Sequence, residues 1–269
     1  MKHRASPVAD AALVRAPSPA LADGQVTFLD RRAVDVEVAR AQHARYVRTL
    51  RSAGVEIVEA PPAPEHPDAV FVEDAVVAVD TLAVITRPGT SSRRGEGDGL
   101  VPLLQRRGFE VVELTAPATL DGGDVLQIDD VLYVGHPTRT NAAGIDRLRA
   151  LVASRGREVI AVEVDAALHL KTVVTGLPDG ALIARTDGFD RSAFADRHLV
   201  VAAEPSGANV LRLGDTVVIA ASAPRTAELL RQRGHDVVVV EIGELEKLEA
   251  GPTCLCVLLP SDRPGSETS

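Results

Sequence analysis

The sequence predicts an α/β fold of five ββαβ units, closed into a ring by pairing of its first and last strands. Three observations lead there. Short apolar hairpins bounded by Asp, Gly and Pro begin near residues 69, 121, 168 and 206, a spacing of about 40 to 50 residues. Each hairpin is followed by a helical stretch and then another apolar strand. The last apolar run, residues 254–259, can complete a fifth hairpin only with the first, residues 12–15. An open α/β sheet with antiparallel excursions is the competing architecture.

In chain order, the first strand leads to a helix over residues 33–52, a stop at Gly54 and a strand over 55–58. The second unit runs 70–79, turns at Asp80-Thr81 into 82–86, and continues with a helix over 100–107 and a strand over 110–114. The third pairs 123–128 with 131–134 through Asp129-Asp130, then a helix over 142–155 and a strand over 158–162. The fourth pairs 172–175 with 181–184 through Pro178-Asp-Gly180. The fifth pairs 209–213 with 216–220 through Gly214-Asp215, then a helix over 225–233 and a strand over 236–240. Gly108, Gly156 and Gly234 stand where helix C-caps need a left-handed residue. No linker interrupts the series, so a single domain over 1–269 is expected, with its core over about 12–259 and frayed ends (the first ten residues and 261–269).

The composition is that of a globular protein, 45% hydrophobic and 25% charged. A formal charge of −9 argues against a nucleic-acid partner and is compatible with a small cation. Nearly all basic residues are Arg; the lysines are Lys2, Lys171 and Lys247. Cys254 and Cys256 are too close in sequence for an ordinary disulfide framework, and no Cys-His spacing marks a structural zinc site. If both lay in one strand they would share a face. No apolar run approaches the roughly 20 residues of a membrane span, and residues 1–10 lack the apolar stretch of a signal peptide. A reduced, cytoplasmic protein without a membrane partner is expected.

Chemistry concentrates at predicted strand ends. Cys254, in Gly251-Pro-Thr-Cys-Leu-Cys-Val257, is either a buried small hydrophobe or a nucleophile, and a nucleophilic thiol needs a nearby cation or His. His169, in Leu168-His-Leu-Lys-Thr172, is either a hydrogen-bonded core residue or a general acid and base. Glu73 and Asp74, with Asp68 upstream, interrupt an apolar run where carboxylates are costly to bury without partners. They therefore suggest a bound cation or a buried Arg. In Leu120-Asp-Gly-Gly-Asp124 the double Gly permits a sharp turn or a close backbone approach between Asp121 and Asp124. Arg93, Arg94 and Arg139 are surface residues by default and carboxylate clamps by function. A thiol, a distant His and paired carboxylates point to cysteine-based attack on a planar cation such as a guanidinium.

Taken together, the motifs PDAVFVED, ITRPGTSSRRGE, TLDGGDVL, YVGHPTRTNAAG, LHLKT and TCLCV resemble, in content and order, the dimethylarginine dimethylaminohydrolase family of guanidino-modifying enzymes. The resemblance spans residues 12–259 and implies a five-bladed ββαβ propeller, the pentein fold. It implies Cys254 as nucleophile, His169 as general acid/base and Asp121 beside it in the active site. It also implies that Glu73 and Asp74 hold the guanidinium and Arg93 and Arg139 the α-carboxylate. Asp68 would take the α-ammonium, and Phe71 and Gln25 would border the substrate. The implied reaction turns methylated arginine, a small-molecule substrate, into citrulline and an alkylamine, with no metal or organic cofactor, in a monomer or homodimer. Two departures bear on specificity: Gln25 stands where the family often has an apolar residue, and Pro252 is unusual beside the nucleophile. An arginine deiminase and a non-catalytic guanidino-ligand binder are the alternatives. The chain has no room for the helical insertion usual in full-length deiminases.

Overall fold

A computed structural model describes residues 9–260. Most of the termini read as frayed lie outside that range, but Ala9 and Asp10 already belong to the first strand. The strands are β1 (Ala9–Val14), β2 (Glu56–Glu59), β3 (Val76–Val79), β4 (Leu82–Ile85), β5 (Glu110–Glu113), β6 (Val125–Ile128), β7 (Val131–His136) and β8 (Glu158–Glu163). They continue with β9 (Val174–Gly176), β10 (Leu182–Ala184), β11 (Leu199–Val201), β12 (Leu211–Leu213), β13 (Thr216–Ala220), β14 (Asp236–Val240) and β15 (Val257–Pro260). They form five three-stranded sheets, β15-β1-β2, β3-β4-β5, β6-β7-β8, β9-β10-β11 and β12-β13-β14. In each sheet the middle strand pairs antiparallel on one side and parallel on the other. The expected pairing of the first and last strands is present, with Leu13 opposite Val257 and Ala12 opposite Leu258.

The middle strands explain the ring. Successive side chains of a strand point to opposite faces, and here both faces are covered. Leu82 and Val84 enter one apolar cluster while Ala83 and Ile85 enter the next. Leu182 and Ala184 are divided from Ile183 in the same way, and Val217 and Ile219 from Val218 and Ala220. Five such clusters each join two neighbouring sheets, and the fifth joins the last sheet to the first through Val14, Leu211 and Val218. Burial on both faces is why these strands read as unbroken apolar runs rather than alternating ones.

Helices Val36–Ser52, Leu100–Arg106, Ala142–Val152 and Pro224–Gln232 lie near their expected positions. Asp35 caps the first, accepting from the N–H groups of Glu37 and Val38. Gly54, Gly108, Gly156 and Gly234 all take positive φ, as helix stops require. The fourth unit lacks the expected helix. A short 3-10 turn, Arg191–Phe194, replaces it and packs Phe194 against Tyr133 and Phe189.

The larger correction concerns the inner strands, which start later than the apolar runs suggest. A short helical turn precedes each one: Val72–Ala75, Gly122–Asp124, Leu170–Val173, Pro205–Ala208 and Pro252–Leu255. Cys254 therefore sits in a turn and not at a strand start, and the same-face relation to Cys256 does not hold. Pro252 occupies the first position of its turn, where its fixed φ and missing N–H cost nothing.

Candidate active site

The five turns are stitched into a ring by hydrogen bonds. Thr253 Oγ1 donates to Glu73 Oε2 at 2.9 Å, Gly123 N to Asp74 Oδ1 at 3.0 Å, and Leu170 N to Asp124 Oδ1 at 3.1 Å. Asn209, just after the fourth turn, donates to Lys171 O at 3.0 Å and Thr253 Oγ1 at 3.1 Å, and accepts from Thr253 N at 3.1 Å. The circuit returns to its start, carrying Glu73, Asp74, Asp124, Lys171 and Cys254, with Asp121 and His169 immediately before their turns. The double Gly of residues 122–123 serves close approach, since neither glycine has positive φ. A Cβ on Gly122 would stand 2.0 Å from Glu73 O, and one on Gly123 would stand 2.6 Å from His169 Nδ1.

Every buried carboxylate among the described residues gathers here: Asp68, Glu73, Asp74, Glu96, Asp121 and Asp124. His169 Nε2 lies 3.1 Å from Asp121 Oδ2, and Nδ1 faces Asp74 Oδ1 at 3.7 Å. Burial acts to lower the ring's pKa, but the Asp74, Asp124 and Asp121 charges outweigh it and raise it to about 9. At neutral pH the ring is an imidazolium. Asp74 is also penalised by burial, yet His169 and Arg93 bring it down to about 2. Asp124 has less compensation, and burial lifts it to about 7. Burial likewise raises Glu73, against the pull of Lys171 Nζ at 2.6 Å. The Cys254 thiol is pushed up strongly by burial and by Glu73 and Asp74, so it carries its proton in the free protein. Its Sγ accepts from Gly251 N at 3.4 Å.

Arg93 is buried and not at the surface. It donates to Asp74 Oδ2 at 2.6 Å, to both Glu96 oxygens and to the Asp68 carbonyl. Its fork is largely spent on protein acceptors. Arg139 is more open, donating to Thr27 Oγ1 at 2.9 Å and Gln25 Oε1 at 3.4 Å. Gln25 donates through its backbone to Asp68 Oδ1 at 3.0 Å and through Nε2 to Ser92 Oγ at 2.5 Å. Phe71 is buried in an apolar cluster against which Cys254 and Val26 also pack. One donor atom each from Asp74, Asp121 and His169 lies within 4.8 Å of the others, a spacing that a metal ion can use. Both Asp74 oxygens already accept from Arg93 and Gly123, and Asp121 Oδ1 accepts from Gly89 N, so the set is arranged to hold protons.

Sequence reasoning passed over Lys171, Thr253, Asn209 and Glu96, the residues that bind the acidic set together. Lys171 carried a signal: it is one of three lysines in a chain whose other basic side chains are mostly arginines, and it stands two residues after His169. Asn209 carried none, because its role depends on two distant turns.

A ring of five sheets with a cysteine, an imidazolium and paired carboxylates gathered at its inner turns defines a hydrolase of the amidine class. The family model for eukaryotic N,N dimethylarginine dimethylhydrolase matches residues 28–241. The N(G),N(G)-dimethylarginine dimethylaminohydrolase of Streptomyces coelicolor is 50% identical over 249 residues, covering 92% of this chain and 96% of the relative. That of Pseudomonas aeruginosa is 33% identical over 246 residues, covering 90% and 96%. The solved structure of a Cys-to-Ser variant of the Pseudomonas aeruginosa enzyme complexed with citrulline superposes with a TM-score of 0.86 at 31% identity, covering 94% of this chain and 99% of that one. An adduct of a dimethylarginine dimethylaminohydrolase with S-methyl-L-thiocitrulline superposes at 0.88, with the same identity and coverage. The chain belongs to the dimethylarginine dimethylaminohydrolase family, and its fold is the pentein propeller.

Proposed function

We propose that this protein hydrolyses Nω,Nω-dimethyl-L-arginine and Nω-monomethyl-L-arginine to L-citrulline and dimethylamine or methylamine, with the whole chain as one catalytic domain. The observation that carries the reading is the junction of Cys254, His169, Glu73 and Asp74 on adjoining turns of one hydrogen-bonded ring. Half-identity with the Streptomyces relative supports it.

Glu73 and Asp74 fix the plane of the substrate guanidinium, and Arg93 and Lys171 fix those two carboxylates. The arriving cation offsets the acidic field that keeps the thiol protonated, so on substrate binding the thiol gives its proton to solvent and the thiolate forms. Sγ attacks the guanidinium carbon. The C–N bond to the alkylamine breaks as His169 delivers its proton to the leaving nitrogen. The S-alkylthiouronium that remains is attacked by water, which gives its proton back to His169, and cleavage of the C–S bond releases citrulline and the thiol. Asp121 holds the His169 ring in place. Arg139 takes the α-carboxylate and Asp68 the α-ammonium, with Phe71 as an apolar wall and Gln25 above. Arg93 acts on the substrate through Asp74. No helix among the described residues is long and apolar enough to cross a membrane, and the reduced thiol chemistry suits the cytoplasm, as a monomer or homodimer.

Product analysis tests the reading, with asymmetric dimethylarginine, monomethylarginine and arginine supplied separately. Citrulline with dimethylamine from the first is expected. Ammonia from arginine alone would make the protein a deiminase. No citrulline from any of them would remove the proposal. Cys254→Ser is expected to abolish amine release while thermal unfolding stays cooperative, because Sγ makes a single weak hydrogen bond.

A further inference from the structure

The segment 24–29 runs from Asp68 toward the nucleophile turn; Val26 packs against the cluster around Phe71, and beyond Val26 apolar packing does little to hold it. Its two large apolar residues, Phe28 and Leu29, are 52% and 54% exposed. What holds its far end is one side chain. The Glu249 carboxylate accepts from the backbone N–H groups of Thr27 at 2.9 Å, of Phe28, and of Leu29 at 2.8 Å. Glu249 itself has φ +65°, a left-handed conformation that non-glycine residues adopt at a cost, often where function requires it. Five residues later in the chain comes Cys254. At its near end the segment donates Gln25 N to Asp68, and Gly24 is wedged so closely that a Cβ would meet Asp68 Oδ1 at 2.8 Å. Arg139 reaches its middle through Thr27. A cavity of about 860 Å³, lined in part by Phe28, Leu29, Leu168, Glu249 and Gly251, opens beside it.

We propose that Glu249 is a positioning residue for substrate binding: its carboxylate latches segment 24–29 over the substrate and ties that closure to the chain leading into the nucleophile turn. The role rests on the methylarginine-hydrolase reading. Glu249 touches neither the reacting atoms nor the groups proposed to hold the substrate. It acts through the segment that covers Asp68 and contacts Arg139, so its loss weakens substrate capture more than the chemical step. The latch also explains a polar anchor where an apolar clasp would be simpler: a carboxylate on three N–H groups releases and re-forms without burying surface.

Steady-state kinetics of Glu249→Gln and Glu249→Ala, with Nω,Nω-dimethyl-L-arginine as substrate, read the latch. KM is expected to rise about tenfold or more in the Ala variant, the scale of lost hydrogen bonds to a charge. The Gln variant, which keeps one acceptor oxygen, should fall between, and kcat should change less than about threefold. Tryptic cleavage after Arg31 and Arg32, slowed by L-citrulline in the unaltered protein, should become fast in the Ala variant and respond less to citrulline. Unchanged KM together with unchanged cleavage overturns the proposal. A matched fall in kcat and melting temperature, with KM unmoved, would make Glu249 a structural prop and overturns it too. Should the Ala variant fail to fold, the Gln variant decides by the same two readouts. If the unaltered protein yields no citrulline, the hydrolase reading has failed, whereas turnover with an indifferent Glu249→Gln removes only the latch.

Discussion

Cys254 and His169 are held in protonation states opposite to those of an idle thiolate and a neutral imidazole; carboxylates act on both, and burial adds to their effect on Cys254 while opposing it on His169. Asp74 acts on both: with Asp124 and Asp121 it raises His169 to about 9 against burial, and with burial and Glu73 it pushes the Cys254 thiol up. Cys254 should therefore react slowly with iodoacetamide at pH 7, and faster when a cationic guanidine that is not turned over occupies the site. Mass spectrometry of the alkylated peptide checks this; rapid alkylation of the free protein would contradict the arrangement. His169 also makes stability depend on pH. Its folded value lies above its unfolded value near 6.5, so the contribution is complete below pH 6.5 and is lost as pH rises to about 9. The melting temperature should fall across that window, and His169→Asn should flatten the fall. Asp124 adds a decline of the same sign from about 4 to about 7, which runs into the start of that window. Lys171→Met should cost about 3 kcal/mol in urea unfolding, because it leaves Glu73 buried and unpaired. These residues were legible unequally. Cys254, His169 and the acidic pairs stand out as polar interruptions of apolar runs. Arg93 read as a surface residue, since burial of its charge depends on Glu96 and Asp74 meeting it in three dimensions.

Helices and outer strands were readable because their signals are local: Asp35 before the first helix, glycines after four of them, β-branched runs after those. The cap alone should be worth about 1 kcal/mol, measurable as the loss on Asp35→Ala in chemical denaturation. The five short turns were not readable. Val72–Ala75 and Leu170–Val173 run straight into β-branched stretches and read as the start of the strand that follows, and only the crowding of five units around one axis bends them. Glycine at 122 and 123 is the trace that crowding leaves. Gly123→Ala would drive a methyl into His169 and Asp74, so turnover should collapse by orders of magnitude while the far-UV circular dichroism stays native. A variant with ordinary kcat would show that the turn can retreat.

Closure was inferred from a spare strand at each end, and its energetic meaning comes from the five apolar clusters. Removing β15 would strip Val257 and Leu259 from one cluster and break the seam beside another. The pairing also brings Ala9 and Pro260 together, so the ends can be joined. A circular permutant linked there and opened at the exposed Asp179-Gly180 hairpin tip should fold and turn over at a similar rate, as activity and melting curves would report. During synthesis the same seam has another side. The ribosome makes β1 first and its partner Val257–Pro260 some 240 residues later, a wait of roughly 10 to 50 seconds at ordinary elongation rates. Throughout that wait β1 offers an open hydrogen-bonding edge to any other nascent chain. Because Cys254 lies in the turn leading into that last strand, a nascent chain that stops short of the turn is not chemically armed: the nucleophile and the closing strand arrive within a few residues of each other.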